Sequence, residues 1–210
     1  MLKHVINCFN KANTFDTKLP QTIFNLEGMS GIKTRIFYNE ICSMGKPVTY
    51  LEVGSWKGSS LISSCYGNDV NAYVIENWSM WGGPKDLFLE KTKEFNIHPT
   101  IFEEDFSTFD VSKIDKKIDV YLYDGDHSYE SQYDGIKRMW PALADDCIIM
   151  IDDWNDDNQV RKGTNDALKD LDAHVVEKFE VKYTVDSTHT PMPIAQHEFW
   201  NGIGVFIISK

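Results

Sequence analysis

Two apolar runs in this chain stop on acidic residues, and that repetition limits the folds open to it. Ile118, Val120 and Leu122 alternate with Asp119, Tyr121 and Tyr123 before Asp124-Gly125-Asp126-His127, the period-two pattern of a strand that breaks into a polar turn. Cys147–Ile151 is continuously apolar and runs into Asp152-Asp153. If the two runs are neighbouring parallel strands, their acidic tails meet at the carboxyl edge of the sheet, where open α/β sheets keep their ligands. Two like unit charges about 4 Å apart repel by about 4 kcal/mol at an effective dielectric near 20, and a cation is the simplest remedy. Asp124, Asp152 and Asp153 are then hard oxygen ligands suited to Mg²⁺ or another divalent cation. Asp-Gly and Asp-Asp are also common turn residues; that reading suits either pair alone better than both together.

The chain of 210 residues fits one domain, a size that buries about 70% of the unfolded surface. Its hydrophobic content of 42% and aromatic content of 13% indicate a packed globule. A net charge of −11 argues against nucleic acid or an anionic membrane as partner, since either needs a basic footprint. Cys8, Cys42, Cys65 and Cys147 form no C-x-x-C pair, which fits a reduced setting. Residues 1–20 lack the apolar core of a secretory signal, and no apolar run is long enough to span a membrane. The expected location is cytoplasmic.

Residues 1–46 read as an N-terminal cover within the same domain as residues 47–210. Residues 1–30 are mixed, whereas Ile32, Ile36, Phe37, Ile41 and Met44 recur at helical spacing before Gly45 and Pro47. From Val48 onward, strand-like and helix-like runs alternate. Strands are expected at Val48–Val53, Asn71–Ile75, Thr100–Phe102, Ile118–Tyr123, Cys147–Ile151, Val175–Val185 and Gly204–Ser209. Helices are expected from Ser59 through Cys65 and over Pro84–Phe95, Tyr129–Leu143 and Val160–Leu171.

Between the first strand and helix lies Glu52-Val53-Gly54-Ser55-Trp56-Lys57-Gly58-Ser59. Strand, glycine turn and helix form a nucleotide-cradling geometry, in which Gly54 permits a sharp turn, Gly58 a close helix approach, and helix N–H groups face the ligand. The pattern is E-x-G-x-x-x-G, not the dinucleotide G-x-G-x-x-G, and taken alone it is weak. Glu76 ends the second strand, 24 positions after Glu52, where a carboxylate accepts from ribose hydroxyls or simply faces solvent. Trp78 and Trp81 either wall a purine or fill the core edge. Asp105 and Phe106 follow the third strand, where they offer a carboxylate to an adenine amino group and a ring to its face, or form an ordinary loop acid and a core aromatic.

This order resembles class I S-adenosylmethionine-dependent methyltransferases. More narrowly, Asp124-Gly125-Asp126-His127-Ser128-Tyr129 followed by Asp152-Asp153-Trp154 is similar to the metal-dependent O-methyltransferases that modify sugar hydroxyls of macrolide and aminocoumarin antibiotics. The resemblance covers roughly residues 27–209. It implies a Rossmann-like three-layer α/β/α sandwich, with a seven-stranded, mostly parallel sheet whose last strand is antiparallel. It assigns Glu52, Gly54, Gly58 and Ser59 to the methionine part of the cofactor, Glu76 to the ribose, and Asp105 with Phe106 to the adenine. Met29 corresponds loosely to an N-terminal cofactor-contacting segment. Asp124, Asp152 and Asp153 match the metal ligands, and the base falls at Asp126 or His127. The family's Gly-Gly turn before the fifth strand is replaced by Asp145-Asp146, so a different local turn is expected.

The expected reaction is methyl transfer to a hydroxyl of a small molecule. His127, with an ordinary pKa near 6.5, is the better base, and Asp126 orients it or takes the proton instead. The family implies homo-oligomers. The rival readings are a metal-dependent phosphoesterase, which would need more histidine near the cation, and a non-catalytic cofactor-binding protein. The segment Ser187–Asn201 forms a substrate mouth or a plain surface crossover.

Overall fold

All seven strand-forming runs enter one sheet in the computed structural model, which describes residues 1–210. The strands are β1 (Val48–Val53), β2 (Val70–Ile75), β3 (Thr100–Phe102), β4 (Ile118–Tyr123), β5 (Leu143–Asp152), β6 (Val175–Val181) and β7 (Ile203–Ser209), in the order β3-β2-β1-β4-β5-β7-β6. β1 through β5 pair in parallel, and β7 runs antiparallel to both of its neighbours. This is the Rossmann-like methyltransferase sheet that the resemblance implies.

Alternation along each strand splits the core into two layers. Tyr50, Val74, Val120, Leu122, Ile148 and Met150 face one side, packed against α1 (Leu2–Thr14), α2 (Gln21–Phe24), α3 (Ile32–Ile41), α4 (Ser59–Cys65) and α5 (Lys85–Glu94). Leu51, Val53, Tyr121, Tyr123, Ile149 and Ile151 face the other, against α6 (Tyr129–Met139) and α7 (Lys162–Asp170). A further turn, α8 (Met192–Ala195), lies in the connection before β7. Strands covered on both faces need apolar residues at nearly every position, which is why β5 and β7 read as unbroken runs.

Register sets the site. Val53 of β1 stands beside Tyr123 of β4, and Tyr123 beside Ile151 of β5, so the three strands finish level. The next residues, Gly54, Asp124 and Asp152, therefore stand level at one edge of the sheet.

Several boundaries need revision, and one expected departure is found. Residues 2–14 form an amphipathic helix that buries Val5, Cys8 and Ala12 at helical spacing, with Phe9 packed on the same core. The sixth helix stops at Met139 and not Leu143, since Trp140-Pro141-Ala142 tightens into a 3₁₀ turn and β5 begins at Leu143. The chain does deviate at Asp145-Asp146: Ile118 pairs with Leu143 but Val120 with Ile148, so β5 bulges where the glycine pair would stand. The seventh helix opens on a π turn, Asp157–Arg161, and β6 ends at Val181. No helix is long and apolar enough to cross a membrane.

Candidate active site

Acidic side chains converge at the level edge of β1, β4 and β5. Asp152 ends β5 with 6% of its surface exposed, and its Oδ1 is buried without a hydrogen-bond partner. Asp153 follows with φ of +54°, a left-handed conformation that costs a non-glycine residue about 1–3 kcal/mol and persists only where the surroundings hold it. Those surroundings are His127, whose Nε2 lies 3.0 Å from Asp153 Oδ2, and Asn201, whose Nδ2 donates to Asp153 Oδ1 at 2.6 Å. Ligand-capable atoms of Asp124, His127 and Asp153 all lie within 4.8 Å of one another. The sequence reading grouped three aspartates; in the structure the tight group is two of them with His127, and Asp152 lies outside it.

The protonation equilibria follow from this crowding. Burial, then repulsion from Asp152 and Asp153, pushes Asp124 well above the ordinary carboxylate range, and burial with the Asp153 charge does the same to Asp152. Burial would raise Asp153 too, but hydrogen bonds and charge from His127, with Asn201, hold it below its usual value. His127 is raised in turn by its hydrogen bond to Asp153. Two carboxyls held toward their neutral forms beside an orphaned Asp152 oxygen are what a divalent cation would relieve. A donor set of carboxylate oxygens fits such an ion.

Asp126 behaves differently. It is exposed, and its Oδ1 accepts from the Ser128 N–H at 2.7 Å, which lowers its pKa and ties it to the turn preceding α6.

The glycine turn stands beside this cluster. Gly54 has φ of +85°, and a Cβ there would collide with the Asp124 carbonyl, so β1 and β4 can approach only without a side chain. Gly58 also has φ of +85°, and the Phe88 ring of α5 takes the space a side chain there would need. Ser59 opens α4, with its hydroxyl 3.3 Å from that of Ser30. That contact lays the loop carrying exposed Met29 across the turn. Glu52 is fully buried; its carboxylate accepts from Tyr50 Oη at 2.6 Å and Ser60 Oγ at 2.5 Å, so it braces the turn from beneath.

Glu76 ends β2 with its two oxygens accepting from the Trp56 N–H (2.9 Å) and the Trp78 N–H (2.7 Å). A carboxylate held this way is fixed in direction and keeps lone pairs for further donors. Asp105 is exposed, with Oδ1 taken by the Ser107 N–H and hydroxyl. The half-buried Phe106 ring packs edge-on to Tyr123 at 5.5 Å, with the Arg138 guanidinium 5.7 Å from its centroid. Trp78 is buried against Phe88, whereas Trp81 is 71% exposed.

Three neighbours of the site carried no sequence signal. Tyr38 of α3 is fully buried with an unpartnered hydroxyl, and the charges of Asp152 and Asp124 add to burial in raising its pKa. Arg35 of α3 donates to the carbonyls of Ile23 (2.5 Å) and Leu26 (2.9 Å) and to Ser30, which holds the loop bearing Met29. Asn201 lies 48 positions after Asp153 in the chain. Only contacts across the fold bring Tyr38 and Asn201 to the cluster.

The sheet order and the glycine turn beside acidic strand ends are those of the class I S-adenosylmethionine-dependent methyltransferase fold. Within that class, residues 51–154 match the family described as "Methyltransferase domain", the span from β1 through Trp154. No curated protein matches the sequence. Among solved structures, cofactor-bound Rv0187 from MTB is similar at 12% identity and a TM-score of 0.61, covering 100% of this chain and 89% of that one. The O-methyltransferase TomG from Streptomyces achromogenes, in complex with SAM, gives 10% identity and 0.60, covering 99% and 90%. The SAH-bound methyltransferase PaMTH1 from Podospora anserina gives 12% and 0.57, covering 99% and 88%. At these identities the likeness is one of fold.

Proposed function

We propose that this protein methylates a hydroxyl oxygen of a small molecule, with a divalent cation at Asp124, Asp152 and Asp153 and with His127 as the base. The observation that carries this reading is the convergence of Asp124, His127 and Asp153 within 4.8 Å, next to an Asp152 oxygen that has no partner. S-adenosylmethionine would supply the methyl group: its carbon–sulfur bond breaks as the carbon–oxygen bond forms. A divalent cation, when bound, lowers the pKa of an acceptor hydroxyl and orients it.

His127 has the right free lone pair. Asp153 can only accept, so the proton of the 3.0 Å contact sits on His127 Nε2, which leaves Nδ1 open to take the hydroxyl proton. The Asp153 charge stabilises the imidazolium that results. Asp126, with its pKa lowered by Ser128, is the weaker base and serves the turn. Glu76 binds the ribose, and the loop of Met29 with Ser59 borders the methionine part. Asp105 and Phe106 border the adenine. The likeness to TomG, involved in tomaymycin synthesis, and the motif resemblance to sugar O-methyltransferases both favour a small acceptor over a macromolecule. The net charge of −11 agrees.

The test is turnover of S-adenosylmethionine against a panel of sugar and phenolic hydroxyl acceptors. Chelation should abolish methyl transfer, and Mg²⁺ or Mn²⁺ should restore it, while calorimetric binding of S-adenosylmethionine persists throughout. Full turnover in excess chelator would remove the cation from the reaction.

A further inference from the structure

We infer that Asn201 is a positioning residue that orients the Asp153 carboxylate, so that the connection between β6 and β7 holds the cation site in shape. The inference rests on the reading of Asp153 as a cation ligand. Asn201 is 6% exposed, and its amide orientation follows from its partners. The Thr190 N–H lies 2.9 Å from Asn201 Oδ1 and can only donate, so that atom is the carbonyl oxygen and Nδ2 faces Asp153 at 2.6 Å. Both amide hydrogens are used, the second by His189 Nδ1 at 2.8 Å. Asp153 Oδ1 is thereby engaged, and Oδ2 is the oxygen left toward His127.

The backbone around Asn201 is built to hold that amide in place. Its carbonyl accepts from the Asn155 N–H at 2.8 Å, so the residue is bound to the Asp152–Asn155 run by main chain as well as side chain. It lies between Trp200 at φ of +49° and Gly202 at φ of +90°, and any side chain at Gly202 would strike the Val181 carbonyl. The same connection is pinned at its far side, where the carbonyls of Gln196 and His197 accept the Ile32 and Lys33 N–H groups that begin α3. The left-handed Asp153 thus meets, across one short hydrogen bond, the residue that follows the left-handed Trp200. Strain held at a contact of this kind is spent on direction.

The experiment compares Mn²⁺ affinity, by calorimetry, in wild type, Asn201→Ala and Asn201→Ser, with melting temperature and S-adenosylmethionine affinity measured alongside. Asn155→Ala is the control: it frees the same connection, losing bonds to Thr188, Thr190 and Tyr183, but its side chain touches no carboxylate of the site. Loss of an outer partner to a ligating carboxylate weakens metal binding by about 10–100-fold. That weakening is expected in both Asn201 variants, with S-adenosylmethionine affinity retained, and not in Asn155→Ala. Serine is shorter than asparagine but keeps a polar group near the Thr190 N–H, so it preserves folding if alanine does not. Unchanged Mn²⁺ affinity in a folded Asn201 variant overturns the inference and leaves the cation reading standing. Equal weakening in Asn155→Ala also overturns it, as a general effect of loosening the connection. Absence of Mn²⁺ binding in wild type overturns both readings.

Discussion

His127 Nε2 stands 3.0 Å from Asp153 Oδ2, an imidazole and a carboxylate joined from the ends of two adjacent strands, β4 and β5. The contact fixes the histidine tautomer and leaves Nδ1 without the proton, as the base role proposed for it requires. His127→Asn should keep the turn but remove the base, lowering kcat by about 10²–10⁴-fold. S-adenosylmethionine affinity should stay unchanged in calorimetry. Asp126→Asn, tested beside it, should lose little kcat; the opposite ranking would transfer the base to Asp126.

Glu52 makes the protein's stability depend on pH in a definite direction. Burial lifts its pKa above the ordinary value, against hydrogen bonds from Ser60 and Tyr50 that lower it. A carboxyl raised in the folded state binds its proton more tightly there than in the unfolded chain. Its contribution is therefore fully present below the unfolded pKa of about 4.3 and is lost as pH rises through the folded value. Glu52→Gln removes this ionisation and keeps a side chain that can bond both hydroxyls. Its melting temperature, relative to wild type, should climb between acid and neutral pH. A difference that stays flat with pH, or falls, would show that Glu52 ionises in the folded protein as easily as in the unfolded chain.

Arg35 ties the N-terminal segment to the cofactor turn. Its guanidinium is 3% exposed and its pKa is lowered by burial to about 10, so it remains charged at neutral pH. Arg35→Met would leave the Leu26 carbonyl without its donor, at about 1–3 kcal/mol for a buried group left unpaired, and would take from the Ile23 carbonyl one of two donors, the Leu26 N–H remaining. The measurable results are a lower melting temperature and, because the Met29 loop then loosens over Ser59, weaker S-adenosylmethionine binding. Weakened stability with unaltered binding would detach that loop from the cofactor.

Gly54→Ala should be among the most damaging single changes in the chain. The positive φ alone costs alanine about 1–3 kcal/mol, and the added methyl strikes the Asp124 carbonyl. Relief of that collision pushes β1 and β4 apart at the acidic edge. Denaturant unfolding should show the lost stability, and Mn²⁺ affinity in the remaining folded protein should fall with it. Gly45→Ala shares the positive φ but meets nothing within 4 Å, so it isolates the backbone part of the effect.

Much of this architecture is visible in the residues themselves. Every strand was legible, because a sheet covered on both faces demands apolar residues in sequence and leaves its polar residues to the ends. The acidic ends and the glycine turn stood out for the same reason. Other elements were less plain. The helix over Leu2–Thr14 buries Val5, Cys8 and Ala12 at helical spacing, a signal present in residues that read as mixed. The end of α6 was masked because Leu143 is apolar whether it closes a helix or opens a strand.

The amino-acid sequence by itself determined the alternation of strands and helices and the placing of Asp124, Asp152 and Asp153 at strand ends, since both follow from local periodicity. Tertiary structure alone decided how these groups face one another. The parallel register of β1, β4 and β5 brings the edges level, and a left-handed turn at Asp153 directs one carboxylate to His127 and Asn201 while Asp152 stays buried. Tyr38 joins them from a distant part of the chain. Such meetings depend on packing between remote segments, and local sequence carries no record of them.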